Sequence, residues 1–169
     1  MPTEFSFDHV FRAASPETIF SAYFDPDHLA TQDKLAELGD RTVVESQDDG
    51  KVWKCSWRVT SLKQLPLIAR PFVDGGKLVY LEQMTWRRDA NETDLIVTPQ
   101  ILNGRVTLNA VYQLKQIAPG QVQRRYKGSV NVNIRLLSGK IEKGVIAELE
   151  KAMPMMADCT QRWLDQNRA

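Results

Sequence analysis

The stretch Glu4-Phe5-Ser6-Phe7-Asp8-His9-Val10-Phe11-Arg12, followed by Ser15-Pro16-Glu17 and then Asp25-Pro26-Asp27, decides how the rest of the chain is read. Phe5, Phe7, His9 and Phe11 recur at period two, which predicts a half-buried strand. Ser15 suits a helix N-cap, Pro16 the first helical position, and Glu17 the positive end of the helix dipole. Ile19, Phe20, Tyr23 and Phe24 give this short helix its apolar stripe. Asp25-Pro26-Asp27 repeats the start signal, so a second short helix is expected, carrying Leu29, Leu35 and Leu38 and ending at Gly39. The opening is therefore a strand followed by a two-helix V.

From about Arg41 the period is that of strands. Thr42 to Ser46 leads into the turn Asp48-Asp49-Gly50, and Trp53, Cys55, Trp57 and Val59 alternate with polar residues beyond it. Leu62 to Asp74 carries Pro66 and Pro71 without clean alternation, which predicts a loop or edge excursion. Gly75-Gly76 restarts the sheet, and Leu78, Tyr80, Glu82, Met84 and Trp86 share a face. Asp94 to Thr98 predicts a short strand closed by Pro99. Val106, Leu108, Ala110, Tyr112 and Leu114 form the next, and Val122, Tyr126, Val130, Val132 and Ile134 the last. After Arg135 the spacing becomes helical, with Ile141, Val145, Leu149, Ala152, Met156 and Trp163 on one stripe. A helix over 138–166 would be about 45 Å long, with a kink expected at Pro154.

Composition narrows the classes of function. The 169 residues include 22 Lys and Arg against 21 Asp and Glu, so no overall charge argues for nucleic acid or an anionic membrane. No apolar run reaches the length of a transmembrane helix, and Met-Pro-Thr-Glu is no signal peptide. The two cysteines, Cys55 and Cys159, do not make a disulfide framework. Both are expected to stay reduced, in a cytoplasmic protein with one domain over residues 1–169.

Catalytic motifs are missing. The two histidines, His9 and His28, form no metal-ligand pattern, and no Gly-x-Ser-x-Gly elbow is present. Ser138-Gly139-Lys140 lacks the first glycine and the final Ser or Thr of a phosphate loop. The expectation is no metal, no cofactor and no assigned catalytic residue. His9 reads either as a hydrogen-bonded core histidine or as a polar anchor in a cavity. Glu82 points either into a cavity or, with one residue of slip, to water. The basic cluster Arg124-Arg125-Lys127, with Arg87-Arg88, reads as the solvated face of two strands, with anion binding as the alternative. Met153, Met155 and Met156 read as core or as an adaptable apolar wall.

The order of elements and three local segments carry a family resemblance. Phe7-Asp8-His9-Val10-Phe11-Arg12-Ala13-Ala14-Ser15-Pro16-Glu17-Thr18-Ile19-Phe20, Tyr23-Phe24-Asp25-Pro26-Asp27-His28-Leu29 and Leu137-Ser138-Gly139-Lys140-Ile141-Glu142 resemble the START-like, helix-grip superfamily (SRPBCC), in particular a branch of unknown function. That resemblance implies an α+β fold in which a curved antiparallel sheet of about six to seven strands grips a long C-terminal helix over a cavity. With the strands phased as above, Phe7, His9, Trp57, Tyr80, Glu82 and Met84 would line the cavity from the first half of the sheet. Tyr112, Tyr126 and Val130 would line it from the last strands, and Leu149 and Met153 from the helix.

A wall of this character favours non-catalytic binding or transport of a hydrophobic small molecule or lipid. The alternatives are a cyclase or dehydratase using Glu82 or His9 as acid or base, and a protein-interaction module, with a homodimer possible. Neither nucleic acid nor an integral membrane segment is expected.

Overall fold

The side chains of Ser15 and Asp25 start the two short helices. In the computed structural model, which describes residues 1–64, 70, 73 and 76–167, Ser15 accepts the Thr18 N–H at 3.4 Å, and Asp25 accepts those of Asp27 and His28 at 2.9 and 3.1 Å. Strand β1 (Thr3–Arg12) thus leads into α1 (Pro16–Phe24) and α2 (Pro26–Ala36). Strands β2 (Leu38–Asp48), β3 (Val52–Ser61), β4 (Val79–Arg87), β5 (Glu92–Pro99), β6 (Val106–Ala118) and β7 (Gln121–Val132) follow, and α3 (Ser138–Gln166) ends the fold. The predicted excursion over Leu62–Asp74 and the Gly75-Gly76 restart lie largely outside the described residues.

Among the described residues seven strands form one antiparallel sheet in the order β1-β7-β6-β5-β4-β3-β2. This is the α+β helix-grip, START-like architecture. The first and last strands are neighbours, and β1 and β2 form the edges. At Gly128 in β7 an added Cβ would lie 2.2 Å from the Asn109 carbonyl oxygen, so only glycine admits this approach of β6 and β7.

The second helix stops earlier than its sequence suggests. Glu37, at φ 53°, takes the left-handed cap position expected of Gly39, and its N–H bonds the Asp33 carbonyl. Leu38 begins β2 rather than ending α2, and Leu35 is exposed. Gly39 serves packing instead, because a Cβ there would come within 3.3 Å of the Leu62 side chain. At the other end, α3 continues through Pro154, which lies on its exposed side, where water can serve the carbonyl that proline leaves unbonded.

The core differs along its length. Where α1, α2 and the last turns of α3 meet the sheet, Phe11, Ile19, Phe20 and Val122 are fully excluded from water. Ala157, Cys159, Thr160 and Leu164 close this end from the helix side. Burying each such large side chain contributes about 1.5–3 kcal/mol. From Ile141 to Met156, by contrast, Glu142 is the one fully buried residue of α3.

Candidate functional site

The strand registers put every strand residue proposed above to line the cavity on the face that α3 covers. Directly opposed residues of an antiparallel pair point to the same side. Trp57 faces Glu82, which continues through Val97 and Leu108 to Val130. One step along, Met84 continues through Leu95, Ala110 and Gly128 to Phe5. The next row runs Trp86, Thr93, Tyr112, Tyr126, Phe7, and the last Leu114, Arg124, His9. Tyr80 opposes Val59 and shares this inner face. Leu149 and Met153 pack onto the same core from α3.

These residues fall into two groups. Phe7, Tyr112, Leu149 and Met153 are partly buried, with Val97, Val106, Ala110, Val145 and Ile146 around them, so the sheet and the first half of α3 meet without closing over each other. Trp57, Met84, Tyr126 and Val130 are buried. Trp57 is covered by Phe24, with ring centroids 6.0 Å apart, and by the Arg41 guanidinium 5.6 Å from its ring. Tyr126 stacks on Tyr112 at 4.5 Å and stands 6.4 Å from Phe7, which makes an aromatic floor across three strands. Burial raises the pKa of both tyrosines, well above the ordinary range at Tyr112, so their hydroxyls stay neutral donors.

Two polar residues share this face. His9 is partly buried and packs edge-on against Phe11 at 4.5 Å. Burial first, and the positive charge of Arg124 second, lower its pKa, so the imidazole is neutral near pH 7. Glu82 faces inward, but its carboxylate accepts a hydrogen bond from Arg41 Nη1 at 2.8 Å. Arg41 also grips Asp33 through Nε and Nη2, both at 2.7 Å. Burial works against the Arg41 charge, yet the hydrogen bonds to Asp33 and the Glu82 carboxylate outweigh it and raise its pKa. A cleft of about 620 Å³ beside this triad is lined by residues of α2 and β2 with Leu62, and shares none of the residues proposed from sequence.

The basic cluster divides. Arg125 pairs with Asp8, and Arg87 with Asp94 and Glu92, on the outside of the sheet, whereas Arg88, just past β4, pairs with Asp48 and lies over the Trp86 and Trp53 rings at 4.6 and 5.7 Å on the inner side. Arg124 is the correction. It is 3% exposed and lies inside, with Nη1 donating to the Tyr23 hydroxyl at 2.8 Å. Phe11 and Tyr112 lie 5.1 and 5.8 Å from its guanidinium carbon. The signal was present: Arg124 has the parity of Val122 and Tyr126, but its residue type suggested a surface. Three buried polar atoms of the inner face, Arg124 Nε, Thr93 Oγ1 and Trp86 Nε1, have no hydrogen-bond partner among the described residues.

Two further residues carry structure that periodicity did not mark. Glu142 takes the Thr3 hydroxyl at 2.5 Å and the Val132 N–H at 2.9 Å, which holds its carboxyl below the usual range and pins the start of α3 to both end strands. His28 is fully buried between Tyr23 and Trp163, its Nε2 3.0 Å from the Thr160 hydroxyl. Among the described residues no helix is long and apolar enough to cross a membrane, and no group of three His, Cys, Asp or Glu could hold a metal.

The fold is shared widely among solved structures. The ZhuI aromatase/cyclase from a Streptomyces species superposes with a TM-score of 0.70 at 8% identity, covering 100% of this chain and 98% of that one. A START superfamily protein from Mycobacterium smegmatis gives 0.64 at 13% identity, over 98% and 99% of the two chains. The protein Ara h 8.0201 gives 0.68 at 12%, over 99% and 100%. Such identities show the architecture alone. No curated protein matches the sequence. Residues 7–164, nearly all of the sheet and its helices, match the family described as "Protein of unknown function (DUF2505)", and the chain belongs to that family.

Proposed function

We propose that this chain binds or carries a hydrophobic small molecule or lipid, without catalysis, between the inner face of the sheet and the first half of α3. The observation that carries this reading is the pair of facing apolar walls that stay partly open. Phe7, Ala110 and Tyr112 on the sheet and Val145, Leu149 and Met153 on the helix are partly buried although they pack on one core. A domain with no use for this space would gain about 0.8 kcal/mol for each further buried methylene by filling it. Likeness of fold to an aromatase/cyclase and to a START superfamily protein supports a ligand-holding interior. The reading takes residues 1–169 as one START-like domain acting in the cytoplasm. A homodimer belongs to it through edge strand β2, where Val43 and Val44 are exposed.

An acid–base role for Glu82 would first require freeing its carboxylate from Arg41, and the binding reading needs no such step. Native mass spectrometry of the purified protein, followed by titration with fatty alcohols, sterols and 2-naphthol, tests it. A bound mass or saturable uptake, weakened by Leu149→Trp, is expected. A protein that takes up none of these probes would overturn the reading.

A further inference from the structure

We propose that Arg124 is the head-group subsite of this cavity and that the ligand is a hydrophobic carboxylic acid, its single negative charge held by the free edge of the Arg124 guanidinium. The inference rests on the binding reading above and adds the chemical class of the ligand.

A guanidinium stays charged in any protein environment, and a buried one is costly unless an anion or a full set of acceptors meets it. Among the described residues Arg124, at 3% exposure, meets neither. Its hydrogen bond there is from Nη1 to the Tyr23 hydroxyl, and its buried Nε has no partner among them. The inward carboxylate of Glu82 is bonded to Arg41, and Asp8 is bonded to the neighbouring Arg125 on the outer face. With Nη1 turned to Tyr23, the N–H groups of Nε and Nη2 remain as a parallel pair. That edge matches the two oxygens of a carboxylate.

Its position fits a head group at the end of a tail. Arg124 stands directly opposite His9 on β1 and Leu114 on β6, two residues before Tyr126 on the same face of β7. The charge therefore lies about 7 Å along the strand from the Tyr126 row, where the aromatic floor begins. A tail would run from there past Tyr126 and Phe7, beneath Leu149 and Met153. One guanidinium beside a neutral histidine suits a monoanion and not a dianion.

The test is isothermal titration calorimetry of dodecanoate against 1-dodecanol, and of 2-naphthoate against 2-naphthol, at about pH 7.5. The wild-type protein should prefer the acid of at least one pair by about tenfold or more. Arg124→Gln should remove that preference, and Arg125→Gln, on the outer face, should leave it intact. Arg124→Lys, which keeps the charge but loses the paired edge, covers the case in which the glutamine variant does not fold; the acid preference should fall in it as well. Equal binding of acid and alcohol by the wild-type protein overturns the head-group assignment and leaves the hydrophobic-binding reading standing. So does a preference that survives both Arg124 variants. Failure to bind any of the four probes overturns the head-group assignment and, where no sterol is taken up either, the binding reading as well.

Discussion

The Glu142 carboxylate accepts the backbone N–H of Val132 at 2.9 Å, so the start of α3 is fastened to the end of the strand that precedes it. The second oxygen takes the Thr3 hydroxyl, which brings the first strand into the same fastening. Glu142→Ala would leave a buried backbone N–H without a partner. Such losses cost about 1–3 kcal/mol, and the variant should melt several degrees lower by circular dichroism, with α3 still helical.

His28 ties stability to pH. Burial, only partly opposed by the nearby Asp25 charge, pushes its pKa down to about 4 from the ordinary 6.5. The unfolded chain therefore binds a proton that the folded one refuses, and the contribution is complete above about pH 6.5 and lost as pH falls toward the folded value. The penalty between about pH 7 and about pH 5 should be about 2 kcal/mol. Urea midpoints at the two pH values should differ accordingly, and His28→Phe should flatten that slope. An unchanged slope in the variant would assign the acid sensitivity elsewhere.

Glycines test the packing of the sheet against that of the helix. Gly128→Ala drives a methyl group into the Asn109 carbonyl and the Ala110 backbone, and should cost more than about 2 kcal/mol or prevent folding. Gly144, exposed in α3 with nothing within 4 Å of an added Cβ, should behave in the opposite way. Gly144→Ala should stabilise by about 0.5–1 kcal/mol, since alanine is the better helix former.

The triad of Asp33, Arg41 and Glu82 gives a double-mutant test. Arg41→Met leaves two partly or fully buried carboxylates without their shared partner, an arrangement that costs about 3–5 kcal/mol. Adding Glu82→Gln should recover part of that loss. Chemical denaturation of the two single variants and the double variant measures the coupling. Simple additivity would mean that Glu82 is not engaged by Arg41 in solution, and would return it to consideration as an acid.

The sequence made the sheet legible because alternation is a physical requirement wherever one face is buried, and Trp53 to Val59 or Val106 to Leu114 satisfy it with little noise. The starts of α1 and α2 were equally plain, since Ser15-Pro16 and Asp25-Pro26 act through their own caps. The end of α2 was not, because the left-handed turn falls on Glu37, whose side chain gives no sign of it, while the glycine two residues on answers to Leu62 in three dimensions. Within the site, phase placed the aromatic rows on one face. The charge of Arg124 points to a surface while its phase points inside, and phase wins; the hold of Glu142 on Thr3 joins residues 139 apart in the chain.

The adjacency of β1 and β7 sets the order of events during synthesis. Thr3 pairs with Val130 and Arg12 with Gln121, so the first strand made waits for the last. At about 5–20 residues per second, roughly 6 to 25 s pass before β1 can find its neighbour. During that interval Phe5, Phe7 and Phe11 have no sheet to join, and the charges of Glu4, Asp8 and Arg12 set between them act as gatekeepers against wrong pairing. The outward face of the first strand thus protects the nascent chain before it has any role in the finished fold.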